Sequence, residues 1–227
     1  MIVVIGAVGA AGAERIGSPV TPAGLAARVA LAAAAAGSNV EVVTRLGEDA
    51  AGDDVVLAFA AAKVGHVATL RDVAHATPMH ATAAEPIDLD ASDDVDAGDE
   101  RGVVSPVETT AATEVAYPTA TPPTLDAGDV GLALRYLSDY RVIIVVHPTD
   151  DAIVREVVAA TDWATAHLVV VTAPGASAPD GLPAATVLLA AADDADAVAG
   201  LLGRYAAAVD GGKDPSEAFK ATLGAAS

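Results

Sequence analysis

The chain has 227 residues, no cysteine, and 31 acidic against 12 basic residues, a formal charge of −19. That balance excludes disulfide and thiol chemistry, and a surface of this sign repels nucleic-acid phosphates. No stretch of about 18 apolar residues is free of glycine and charge, so no membrane span is expected.

Hydrophobic residues make up 53% of the chain, enough for one substantial core, so residues 1–227 are read as a single domain. Much of that fraction is alanine, and with two Phe and one Trp the core has to be packed by Val, Leu, Ile and Ala. The Val/Ile-rich opening has no basic leader ahead of it, which together with the missing cysteines fits a cytoplasmic protein. The dense carboxylates resemble those of proteins from salt-loving organisms; an acidic linker also adds to the total.

Residues 2–8 read as a first buried strand, ending in a run with glycines at 6, 9 and 12. That spacing is not the G-x-G-x-x-G dinucleotide fingerprint. Residues 22–36 read as a helix, with Thr21 as its N-cap, Pro22 in its first turn and Gly37 as its stop. A strand over 39–45, a Gly47-Glu48-Asp49 turn and a helix over 52–64 follow, the last with acidic residues at its positive end. Further strands are expected over 66–70 and 77–83. His66, His75 and His80 match no compact metal-ligand spacing, and no metal site is assigned.

Residues 84–128 change to Asp, Ser, Thr, Pro and Ala, the composition of an acidic loop. Alternation then resumes: a helix capped by Asp126 or Asp129, a strand over 141–146, a helix from Asp150 to 164, and the apolar strand over 167–172. A strand over 186–189 and helices over 193–209 and 215–225 close the chain, the last opening on Asp214-Pro215-Ser216-Glu217. Strands and helices in this order predict an α/β fold with a mainly parallel central sheet flanked by helices.

One set of motifs runs through this pattern. Ala23-Gly24 precedes Arg28, Gly37 follows nine residues after Arg28, and a strand leads into Leu46-Gly47-Glu48-Asp49. Towards the C-terminus come Val170-Val171-Thr172, a turn with Gly175, Asp193-Asp194-Ala195-Asp196, and a D-P-x-E-A-F helix at Asp214. Order and spacing resemble the ribokinase-like (PfkB) carbohydrate kinases over roughly residues 1–80 and 165–227. The resemblance implies a substrate site near Gly24 and Arg28, a nucleotide side near Thr172 and Gly175, and Asp196 as the base for an accepting hydroxyl, with ATP and Mg²⁺ as cofactors. It places the 84–128 segment near a small β lid over the substrate, here reduced to two to four strands, and allows a homodimer through that lid.

Several positions depart from the family pattern. Ala11 stands where an aspartate would bind sugar hydroxyls. Arg28 stands on the substrate-side asparagine, and reads either as an anchor for a carboxylate or phosphate or as a solvated arginine on an Ala-rich helix. The glycines of the anion hole are replaced, two of them by Asp193 and Asp194, and Pro174 sits where the T-x-G turn has glycine. The N-x-x-E metal motif has no counterpart, since Asn39 is the only asparagine. Acidic residues in a first helical turn also simply stabilise the helix through its dipole. The expectation is therefore a degenerate kinase relative with weak or no phosphotransfer that keeps a small-molecule cleft or a self-association role. The alternative is an active sugar or nucleoside kinase using Asp196.

Overall fold

The computed structural model describes residues 1–12, 20–81, 121–190 and 194–224. The elements in chain order are β1 (Ile2–Ile5), β2 (Gly9–Gly12), β3 (Thr21–Ala23), α1 (Leu25–Ala35), β4 (Val40–Gly47), α2 (Ala50–Ala61), β5 (Val64–Gly65), β6 (Thr69–Asp72), β7 (Met79–Ala81), α3 (Ala127–Tyr136), β8 (Val142–Val146), α4 (Asp151–Ala164), β9 (His167–Thr172), β10 (Val187–Ala190), α5 (Ala195–Asp210) and α6 (Pro215–Gly224). No helix among them is long and apolar enough to cross a membrane.

Seven strands form one sheet in the order β10-β9-β8-β1-β4-β5, with β6 pairing the far half of β4. Every pairing in it is parallel. The unbroken Val/Ile runs of β1, β8 and β9 are explained by this position, because a parallel strand covered by helices on both faces has no wet side. Alternate residues go to opposite layers. Ile2, Val4, Ile144 and Val169 pack with α1, α2, α5 and α6. Val3, Ile5, Ile143 and Val170 pack with α3 and α4.

Among the described residues a second sheet has three strands in the order β3-β2-β7. Its described strands all come from before residue 82. Of the 84–128 segment, where a reduced lid is expected, residues 84–120 lie outside the described residues, and 121–126 run irregularly into α3.

The expected helix over 22–36 begins later, at Leu25. Thr21, Pro22 and Ala23 are drawn into β3 against β2, and the Thr21 hydroxyl donates to the Ala11 carbonyl at 3.3 Å instead of capping a helix. The cap position falls on Gly24, with φ of 93° and no side-chain cap. The strand expected over 66–70 also shifts. Residues 66–68 turn, with the Thr69 N–H donating to the His66 carbonyl, and β6 then runs from Thr69. The turn lets one strand, β4, pair first with β5 and then with β6.

Candidate functional site at the paired starts of α1 and α5

α1 and α5 pack against each other over the same face of the sheet. Ala26, Ala27, Ala30 and Ala33 make the buried side of α1, and Gly203 lets α5 approach it closely. A Cβ on Gly203 would lie 2.6 Å from Ala32 Cβ and 2.7 Å from its carbonyl carbon. The alanine abundance evident in the composition thus has a use: small side chains let two helices sit close, and their starts come together at the carboxyl ends of the strands.

Two expected site residues, 168 positions apart in sequence, meet there. Arg28 Nη1 donates to Asp196 Oδ1 at 2.8 Å. Their side chains are 41% and 82% exposed, so the pair is solvated. Gly24 adjoins Arg28 at the start of α1, and its left-handed φ explains why glycine serves there.

The two helix starts are furnished in opposite ways. At α5 the Asp194 carboxylate accepts from the N–H groups of Asp196 (3.1 Å) and Ala197 (2.9 Å). At α1 no side chain caps the start, no acid lies in its first turn, and Arg28 is the nearby charge. Elsewhere Asp49, Asp126 and Asp150 cap α2, α3 and α4, and Asp214 accepts from Ser216 and Glu217 at α6. The start of α1 is therefore the one among the described helices with no carboxylate bonded to its first N–H groups.

The residues expected on a nucleotide side lie at and just beyond the end of β9. Thr172 ends β9, is buried, and turns its hydroxyl to the Leu189 carbonyl of β10 at 3.3 Å. Gly175 lies in the exposed turn beyond it, with φ of 74° and open space where a side chain would be. Asp193 lies outside the described residues. Ala11 is on β2, opposite Thr21 and His80.

The Gly47-Glu48-Asp49 turn carries more than the sequence reading assigned to it. Asp49 accepts from the Gly52 N–H (2.8 Å), the Thr77 N–H (2.7 Å) and the Thr77 hydroxyl (2.8 Å). Burial alone would raise the Asp49 carboxyl, but these bonds and the nearby Arg71 outweigh it and hold it below the usual range. Thr77, 28 residues away, carries no sequence signal for this role. His75 Nδ1 lies 3.0 Å from Asp72 Oδ2. Among the described residues no group of three His, Cys, Asp or Glu side chains could hold a metal.

No family model matches the chain, and no curated protein matches it in sequence. Solved structures do resemble it. An Escherichia coli protein assigned as a ribokinase II is 13% identical in its apo form, with a TM-score of 0.60 over 97% of this chain and 89% of that one. The same protein in complex with ATP and Mg²⁺ aligns at a TM-score of 0.61 and 14% identity, with the same coverage. The PfkB protein from Polaromonas sp. JS666 is 14% identical, with a TM-score of 0.58 over 97% of this chain and 92% of that one.

Proposed function

The chain has the ribokinase-like fold over nearly its whole length, and on that premise we propose that it is a carbohydrate-kinase relative with an eroded phosphotransfer site. What it retains is a binding site at the start of α1, where Arg28 holds a small anionic molecule through a carboxylate or phosphate. The Asp194 cap carries this reading. Backbone N–H groups at a helix start bind a phosphate only when they are free to point at it. Here two of them are taken by a carboxylate of the phosphate's own sign. A carboxylate about 4 Å from a phosphate oxygen costs on the order of 4 kcal/mol at an effective dielectric near 20.

The phosphates of ATP, which the fold implies, do not fit this donor set, although carboxylates are ordinary ligands of the Mg²⁺ that accompanies it. Thr172 is satisfied within the sheet, Gly175 brings no charge, and Asp194 and Asp196 are both acidic. The start of α1 has the complementary character: an uncapped positive end and a guanidinium with N–H groups to spare beyond the one on Asp196.

One observation favours the alternative, an active sugar or nucleoside kinase with Asp196 as base. An ion pair this exposed is worth about 0–1 kcal/mol, so a substrate could displace Arg28 and free the carboxylate. Thermal shift in molar KCl separates the two. A panel of sugar acids and phosphorylated sugars is expected to raise the melting midpoint and lose that effect in Arg28→Met, while ATP with Mg²⁺ gives none. A shift with ATP and Mg²⁺, and ATP turnover lost in Asp196→Ala, would establish the kinase reading instead.

A further inference from the structure

A cavity of about 490 Å³ lies between α3 and α4, and its lining includes none of Gly24, Arg28 or Asp196. The layers of the fold set it on the other side of the sheet from those residues. α3 and α4 pack on the face that carries Ile143 and Val170, whereas α1 and α5 pack on the opposite face. The inner side of the groove is made by Leu134 and Tyr140, 4% and 3% exposed, and its outer wall by Trp163, 80% exposed. Trp163 is the only tryptophan in the chain. A tryptophan this open keeps most of its ring in water, and a flat apolar group laid on the ring would remove that area from solvent.

Two charged side chains also line this groove, and both arrive at Gly131. Arg135 donates from Nε to the Gly131 carbonyl at 2.9 Å, one turn back along α3. Glu156 reaches across from α4: a Cβ on Gly131 would lie 2.7 Å from its Oε2 and 3.7 Å from its Cγ. The missing side chain at Gly131 is thus what gives the Glu156 carboxylate its place. Yet no salt bridge joins the two residues, and Glu156 has no hydrogen-bond partner among the described residues. Both residues are exposed, so the Glu156 oxygens and the Arg135 Nη1 and Nη2 groups are open to a ligand.

The two charges select the ligand. An anion alone would meet Glu156 as well as Arg135, in the field of a chain of charge −19. A cation alone would meet Arg135. A molecule with both charges on neighbouring atoms answers both: its carboxylate accepts from Arg135 Nη1 and Nη2, and its ammonium donates to Glu156. We propose that the α3/α4 groove binds a free α-amino acid with an aromatic side chain, whose ring lies on Trp163. At about 30 Å³ per water in the liquid, the volume holds on the order of 16 non-hydrogen atoms, enough for any standard amino acid. Charge contacts this open to solvent are individually weak, which places the affinity in the millimolar range.

With a single tryptophan in the full chain, fluorescence reads the groove directly. L-Phenylalanine is expected to shift the Trp163 emission to the blue, saturably, in the millimolar range. Glycine lacks the ring, 3-phenylpropionate the ammonium and phenethylamine the carboxylate, and each should act at least several-fold more weakly. Glu156→Gln and Arg135→Gln each remove one charge at an exposed position and should weaken phenylalanine binding at least several-fold. In Gly131→Ala the new Cβ meets the Glu156 side chain first, so this variant should fold and weaken binding by displacing the carboxylate. Were one variant to unfold, the other two still decide the matter. No spectral change with phenylalanine, a fragment as potent as phenylalanine, or undiminished affinity in the folded variants would each overturn the proposal. Arg28→Met is expected to leave the response intact, so failure here is distinguishable from failure of the α1 anion site.

Discussion

Arg28 and Asp196 form a 2.8 Å ion pair between the first turns of two helices that pack side by side. The relationship is solvated, so it positions charge more than it stabilises the fold. Arg28→Met is expected to lower stability by no more than about 1 kcal/mol, measured by urea unfolding. A markedly larger loss would mean that the pair is structural.

The Asp194 cap allows charge and capping to be separated. Asn caps a helix about as well as Asp, whereas Ala forfeits roughly 0.5–2 kcal/mol. Asp194→Asn should therefore keep the melting midpoint while improving phosphate or ATP affinity, and Asp194→Ala should lower the midpoint. Equal phosphate affinity in wild type and Asp194→Asn, read by calorimetry, would show that the carboxylate does not guard this helix start.

Gly203 tests the close approach of α5 to α1. A methyl there meets backbone as well as side chain within 2.7 Å, so neither helix can yield by a rotamer change. Gly203→Ala is expected to cost about 1–3 kcal/mol despite the better helix propensity of alanine. A stabilised variant would contradict this packing.

Asp49 makes a pH prediction with a definite sign. Its folded pKa lies below the ordinary value, so its contribution to stability is complete above the unfolded value of about 3.9 and is lost as pH falls through the lower folded value. Asp49→Asn should flatten the wild-type loss of stability in that acid window, at the expense of stability near neutrality. A wild-type acid limb unchanged in the variant would assign the loss to other carboxylates, such as Asp72 and Asp214, which are also held low by their hydrogen bonds.

The charge of −19 implies self-repulsion that salt screens. The melting midpoint should rise with added KCl, and a steady fall would contradict the expectation.

Local pattern was enough for much of the fold. The apolar runs at 142–146 and 167–172 read as doubly covered strands, and Asp126 or Asp129, Asp150 and Asp214 announce their helices, because such effects act within a few residues. Thr21 shows where local rules stop: it has the side chain of a helix cap, but pairing of 21–23 with β2 moved the helix start to Gly24. The sequence by itself determined the strand and helix alternation and the residue types available to a site. Only the tertiary structure decided which residues meet, as Arg28 does Asp196, Asp49 does Thr77, and Arg45 does Asp129. Those contacts depend on strand order and on how closely helices pack, and such long-range geometry leaves no periodic trace in the chain.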